Sequence, residues 1–464
     1  MDCAISGILP NTAMSADSRA PRSESGIGAL MGWADRLWAV TYLSHGAQTG
    51  SGTGLYVIDE DLSMEQHPES REGTYTNRMI HPQTDQLVIG PHVVDADRRV
   101  RTVEDLLQDH EGRPNRLAAT MPHLEEPDSM VYTLTMEGLL YELDVETLDV
   151  TLVADLVEEL ELAGGRSPSH FKGGWAHDGR VVVTNNTYDE HEYTGARSDG
   201  RLAEWTGPGD EWTVLEEKPF MDVAGRTSLG SAMFANGWDN ASAILKVYHE
   251  GEWSTYRLPK ASHTYDHMWT TEWMRIREVE HERFLMDTHG MYYEFPPYPY
   301  DGSLWGVKPI CAHARVVPDF CNFRGYFVQA GDQATPSGDS NLLAGQASSN
   351  LVFGKTDDLW SYGKPAGWGG PWRETDVTAG EPSDPFLMTG FDQKVVHLTH
   401  DASSDVACTI EVDFLGDGSW ERYRTIEVSS GGYEHHEFPA GFSAHWVRVT
   451  ANKDCTATAH FVYS

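Results

Sequence analysis

One pattern recurs along the chain and limits its fold more than any other: a glycine or small residue, a run of alternating apolar positions, then a turn. It begins at Gly54 (GLYVIDEDL), Ile89 (IGPHVVDADRRVRTV), Gly138 (GLLYELDVETLDVTLV), Gly200 (GRLAEWTGPGDEWTVLEE), Ala243 (AILKVYHEGEWSTYRLP), Gly290 (GMYYEFPPY) and Leu351 (LVFGKTDDLWSYGK). Most copies follow another such run, as in DRLWAVTYL from Asp35, DSMVYTLTM from Asp128, GRVVVTNNTY from Gly179, SAMFANGW from Ser231, ERFLMDTHG from Glu282 and RGYFVQAGDQ from Arg324. Alternation at period two marks half-buried strands, and the Gly, Asp and Asn between the runs are turn chemistry. Copies spaced as closely as Gly54 to Ile89 and as widely as Gly138 to Gly200 have the size of one propeller blade. The expectation is an all-β chain, with a seven-bladed β-propeller over residues 29–376. An elongated sandwich or two unrelated β domains is the rival organisation. Only VEDLLQDH and DLVEELELAG read as helical, and both are short.

The 464 residues exceed what a single core supports. The stretch PWRETDVTAGEPSDP reads as a linker, and FLMTGF, KVVHLTH, CTIEVDFLG, SWERYRTIEV, YEHHEF, AHWVRVTAN and TATAHFVY follow it as closely spaced strands. They predict a small antiparallel β-sandwich over residues 377–464, with LGDGSW as a hairpin turn.

Acidic residues number 71 against 34 basic ones, for a formal charge of −37, and only nine of the bases are lysine. The acids are spread along the whole length, which fits a hydrated, salt-adapted surface. Such a surface repels nucleic acid and anionic membranes, so neither is an expected partner. The alternative use of the acids is cation binding, and a divalent cation is kept open as a cofactor.

Cys3, Cys311, Cys321, Cys408 and Cys455 contain no CxxC pair and form neither a disulfide framework nor a zinc pattern. Cys408 and Cys455 fall in the same predicted domain and read as two free thiols. Residues 1–28 carry no secretory pattern, and a disordered or extended segment in a cytoplasmic protein is expected. No run reaches the length of a membrane helix.

A propeller gathers distant loops at the mouth of its channel, and unusual residues fall in those loops. The connections between repeats carry Tyr75, Asn77, Arg78, His81, His123, His170, Lys172, Trp175, Lys260, His263, Tyr265, His267, Trp269, Glu272, Trp273, Asp319 and Arg324. The strand-end loops add Asn185, Asn186, Tyr188, Trp238, Asp239, Asp287, His289, Asp332 and Gln333. Turns want Gly, Asn, Asp, Pro and Ser, so His and Trp there suggest a lined pocket. Aromatic faces stack on sugar rings while amides and carboxylates bond hydroxyls. The cations Arg78, Lys172 and Arg275 stand out in so acidic a chain and suit a ligand carboxylate or sulfate. An acidic saccharide is the expected ligand.

Two cleavage chemistries fit these residues. In β-elimination at a uronate, Arg78 and Lys172 neutralise the carboxylate, His81, His123, His170 or His263 takes the C5 proton, and Tyr265 acts as the acid. Glycoside hydrolysis needs two carboxylates, for which Asp239, Glu272, Asp287 and Asp332 are available. Each has a plain structural counterpart. A histidine is often a packed strand residue, Trp269 and Trp273 alternate as inter-blade core would, and Asp332 and Gln333 suit strand caps. His263 and His267 have a zinc-like spacing, but Tyr265 and Trp269 argue for an extended segment. His435 and His436 read as surface residues of the sandwich.

The runs LVFGKTDDLWSYGKPAGWGGPW, HTYDHMWTTEWMRIREVEHERFLMDTHGMYYEFP and EPSDPFLMTGFDQKVVHL resemble a largely uncharacterised family of seven-bladed propellers with a C-terminal sandwich, over most of residues 30–464. In architecture the chain also resembles propeller polysaccharide lyases that cut ulvan and rhamnose-glucuronate linkages, and propeller rhamnosidases. That resemblance implies carbohydrate chemistry with a histidine at the mouth, and no short motif of theirs singles out which. A non-catalytic binding or scaffold propeller is the competing class. An enzyme requires His81, His123, His170 and His263 to converge at one end of the channel.

Overall fold

The computed structural model describes residues 7–9, 24–44, 54–165, 169–187, 199–225, 232–261, 273–297, 299, 302–313, 315–334 and 351–464. The described chain is nearly all β. Its helices are brief, such as the 3-10 turn Glu104–Leu106 and the α turn Leu156–Glu159, which lie where the sequence reads as helical. No described helix is long and apolar enough to cross a membrane.

Seven antiparallel sheets follow one another along the chain. Their first strands are Glu24–Trp33, Arg78–His81, Arg116–Pro122, Phe171–His177, Phe220–Gly225, Arg275–Glu280 and Phe320–Phe323. From each, the chain steps outward strand by strand, as in Phe171–His177, Arg180–Asn185, Arg201–Trp205 and Thr213–Glu216. Two-residue turns with both φ positive make several of the hairpins, including Asp178 and Gly179 at 52° and 72°. Such turns match the right-handed twist of the strands they join.

Each of the seven first strands contacts the next, and the seventh contacts the first. The second strands are covered on both faces, and their buried runs are continuous, whereas the first strand Arg78–His81 alternates where it meets the cavity. Met233–Trp238 is buried at all six positions, and Val181, Val182 and Val183 are at most 1% exposed. Each such valine contributes roughly 1.5–3 kcal/mol by leaving water. Close approach has a local requirement as well. A Cβ at Gly173 would stand 2.8 Å from Asp222 Cα on the neighbouring sheet, so a larger residue there would push the two first strands apart.

The ends of this arrangement are set by pairing across the chain. Residues 1–28 include the strand Gly7–Leu9, which pairs with Leu351–Phe353 and completes the seventh sheet, and the start of Glu24–Trp33. The run from Leu351 supplies one strand and then turns into the 3-10 helix Thr356–Ser361, so the fourth strand has to come from the beginning of the chain.

The C-terminal region is a pair of packed sheets. One holds Gly367–Val377, Cys455–Tyr463, Lys394–His400 and Tyr433–Glu437, and the other Trp446–Ala451, Val406–Asp413 and Glu421–Val428. The first seven residues of the expected linker, PWRETDV, and the boundary at 376 fall inside Gly367–Val377, whose residues pair with the last strand of the chain. The second sheet is continuous with the fifth of the seven through Phe386–Leu387, which bridges Arg257 on one side and Trp446 and Val447 on the other. One apolar core runs across the junction, from Phe234 and Phe295 to Phe386 and Phe461. Trp446 Nε1 donates to the Leu304 carbonyl at 2.9 Å across it.

Candidate functional site

All seven first strands line one cavity of about 540 Å³. Its wall holds a charged chain built on two buried aspartates. Asp319, which directly precedes the seventh first strand, accepts from Arg78 Nε at 2.7 Å, Arg277 Nε at 2.7 Å and the Leu30 amide at 2.7 Å. One carboxylate thus ties the first, second and sixth sheets to the seventh. Burial alone would raise the pKa of Asp319, but the guanidinium groups of Arg277 and Arg78 outweigh it and hold it at about 2. Asp222 accepts from Arg277 Nη1 at 2.7 Å and from the Ile276 amide at 2.8 Å.

Arg78 and Arg277 are fixed by these contacts without being used up. Arg277 Nη2 has no partner among the described residues, and Arg78 Nη1 meets only Met31 Sδ at 3.6 Å. Lys172 and Arg275 stand in the same wall, both against Trp273, whose ring centroid is 5.4 and 5.5 Å from their charged groups. Arg275 donates through Nη1 to the Met274 carbonyl, while its Nε and Nη2 lack a hydrogen-bond partner among the described residues. Burial, and the like charges of Arg277 and Arg78, lower its pKa against the pull of Asp222 and Asp319. Among the described residues the cavity gathers four cations, Arg78, Lys172, Arg275 and Arg277, in a chain of charge −37. The exposed rim carries Glu278, Glu280 and His281.

Of the residues expected from sequence, Asn77, Arg78, Lys172, Trp175 and Arg275 line this cavity. Asn77 Nδ2 donates to the Gly90 carbonyl and to Thr120 Oγ1, both at 2.9 Å. His81 does not line the cavity: Nδ1 bonds Thr84 Oγ1 at 2.8 Å and Nε2 bonds the Pro127 carbonyl at 2.9 Å, stapling two hairpin turns together. His123 is likewise occupied, with Nε2 at 3.0 Å from Glu142 Oε1, Nδ1 accepting from the Glu125 and Glu126 amides, and the ring stacked on Tyr132. His170 precedes its first strand, whereas His81 ends one and His123 follows one. These three histidines therefore do not converge, because strand direction puts His170 at the opposite end of its sheet.

Asp239 lies at the junction with the C-terminal sheets, where Arg257 bonds it at 3.0 Å and Asp384 at 2.9 Å. It is a structural ion pair and not a member of the cavity. Asp287 is fully buried and bonds His313 Nε2 at 3.0 Å, and burial raises its pKa despite that histidine. Trp238 and His289 meet edge to face at 5.8 Å, and Asn186 Nδ2 contacts Met221 Sδ at 3.4 Å, all at the strand ends on the His170 side. His263, Tyr265, His267, Trp269 and Glu272 lie outside the described residues, and only the backbone is described for Asp332 and Gln333, as a strand pairing with Glu24–Gly26. Among the described residues no group of three or more His, Cys, Asp or Glu is placed to hold a metal ion.

Sequence reasoning missed Asp222 and Arg277. For Asp222 the signal was a lone charge inside an otherwise apolar strand, FMDVAG, because a charge in such a strand needs a partner across the sheet boundary, whereas the mixed charges of MRIREVE gave no such signal for Arg277.

No family model and no curated protein matches this chain. Among solved structures it is similar to the extracellular domain of a hybrid two-component system from B. thetaiotaomicron, at 9% identity and a TM-score of 0.44. The match covers 94% of this chain and 55% of that one, so the chain spans about half the length of that structure.

Proposed function

We propose that the seven sheets are the blades of a seven-bladed β-propeller carrying a C-terminal sandwich, and that its channel binds an acidic saccharide. The cyclic contact of the seven first strands supports the architecture. The ligand class rests on one observation: Asp319 orients Arg78 and Arg277 from two different sheets toward one cavity, beside the further cations Lys172 and Arg275. Charge-assisted bonds from arginine to a ligand carboxylate are among the strongest polar contacts available there.

The described carboxylates favour binding over paired-carboxylate hydrolysis: Asp222 and Asp319 are consumed by arginine, Asp239 and Asp287 stand elsewhere, and Glu272 and the Asp332 side chain lie outside the described residues. The dispersal of His81, His123 and His170 likewise favours binding over elimination at a uronate.

Calorimetric titration tests the reading. A uronate-bearing oligosaccharide should bind while its neutral counterpart does not, and Arg277→Met should weaken binding at least tenfold, about 1.4 kcal/mol. Equal binding of both sugars, or an unaffected Arg277→Met, contradicts it. Ultraviolet absorbance of unsaturated uronate reports whether cleavage follows.

A further inference from the structure

Resting on the anion-binding reading above, we infer that the cavity takes a ligand with two anionic groups, one on Arg78 and Arg277 and the other on Arg275. A sugar acid that also bears a sulfate, or that adjoins a second uronate, has this chemistry. Arg275 carries the inference. It lines the cavity at 1% exposure, and its Nη1 donates to the Met274 carbonyl at 3.0 Å. Its Nε and Nη2 are buried and have no partner among the described residues.

The two buried aspartates do not serve this guanidinium. Both oxygens of Asp319 are taken by Arg78, Arg277 and the Leu30 amide, and Oδ2 of Asp222 is taken by Arg277 and the Ile276 amide. The Trp273 ring, 5.5 Å from the guanidinium, offsets only part of what a charge loses on burial without a counter-ion. A ligand anion supplies the missing counter-charge.

The strand sets where that second anion sits. Arg275 and Arg277 lie two positions apart on Arg275–Glu280, and the ladder to Arg283–Thr288 is regular between them. Both side chains therefore leave the same face, from Cα atoms about 6.5 Å apart. That offset suits substituents on one sugar ring or on two adjoining rings. Lys172, whose Nζ stands 5.4 Å from the centroid of the same Trp273 ring, adds a cation against that ring.

Calorimetric titration at one ionic strength compares glucuronate, glucuronate 2-sulfate, a disaccharide of two glucuronates and inorganic sulfate. At least one of the two dianions should bind tenfold or more tightly than glucuronate. Which of them gains tells whether the second anion belongs to the same ring or to the next. In Arg275→Met that preference should shrink to less than twofold, whereas in Arg277→Met all three sugars should bind more weakly. A preference that persists in Arg275→Met overturns the role given to Arg275.

The ligand-free Arg275→Met protein should melt no lower than the parent, because it loses a buried charge that has no counter-ion. A lower Tm would assign Arg275 a purely structural part and overturn the inference. Equal affinity of the three sugars for the parent, with binding lost in Arg277→Met, overturns the second subsite and leaves anion binding standing. Inorganic sulfate that binds the parent but not Arg275→Met, with the sugars still equal, gives the position to a free anion and overturns the two-anion ligand. Failure of all three sugars to bind overturns the anion-binding reading beneath it.

Discussion

Arg277 donates through Nε to Asp319 Oδ1 at 2.7 Å, although the two residues belong to different sheets, with Arg277 in the wall of the cavity and Asp319 buried behind it. The other oxygen of that carboxylate serves Arg78 and the Leu30 amide. Buried ions are stable only when every bond is made, so this pairing joins the fold to the site: it closes the ring of first strands and aims two guanidinium groups.

Asp319→Asn should therefore be costly. The amide cannot balance two buried arginines, and loss of one partner of a buried pair costs about 3–5 kcal/mol. Urea unfolding should show the midpoint falling with an unchanged m-value. A loss below about 1 kcal/mol would argue that the network is water-relaxed.

Acid should weaken the fold well before the carboxylates titrate. Burial, helped by the charges of Arg71 and His67, pushes His92 down to about 3, and burial pushes His445 to about 4 against the pull of Asp413. Below the ordinary histidine value of 6.5 the unfolded chain takes up protons that the native chain refuses, so stability present above 6.5 falls as pH drops toward 4. At pH 5 each histidine costs about 2 kcal/mol. Scanning calorimetry from pH 7.5 to 5 should show a falling Tm, with a shallower slope in His92→Asn. Identical slopes would contradict this assignment.

Asp319 adds a second, lower window. Its folded pKa of about 2 lies below the ordinary value of 3.8, so its contribution is complete above 3.8 and is lost as pH falls toward 2. That difference amounts to about 2 kcal/mol. Asp319→Asn should flatten the pH dependence of unfolding in this range, and a slope equal to that of the parent would sink the claim.

The C-terminal sheets should not unfold separately. Arg257 holds Asp239 and Asp384 across the junction, and a single core spans it. One calorimetric transition is expected, and Arg257→Met should lower its stability by about 2–4 kcal/mol. Two resolved transitions would contradict a fused core.

Much of this fold was legible in the sequence, because strand alternation and turn chemistry are local signals. The runs from Asp35, Gly179 and Glu282 became strands, and Asp178 with Gly179 became a tight hairpin turn. What depended on pairing across the chain was not legible. Nothing local in Gly7–Leu9 says that it pairs with Leu351–Phe353. Nothing local in PWRETDV marks it as a strand partner of residues near the C-terminus.

The site divides in the same way. Arg78 and Lys172 stood out as rare cations and do line the cavity. His81 and His123 drew notice as histidines in connecting loops, and their ring nitrogens are spent on neighbouring loops and on Glu142 of an adjacent strand. Which end of a strand a loop occupies depends on the parity of strands before it, and a single misplaced strand inverts that assignment.

The most direct test is a crystal structure of the protein soaked with glucuronate. The account predicts the carboxylate within about 3 Å of Arg78 Nη1 and Arg277 Nη2, with ordinary charge-assisted geometry. Glucuronate bound instead beside Trp238 and His289, or a cavity holding only water at a concentration that saturates binding in solution, would contradict it.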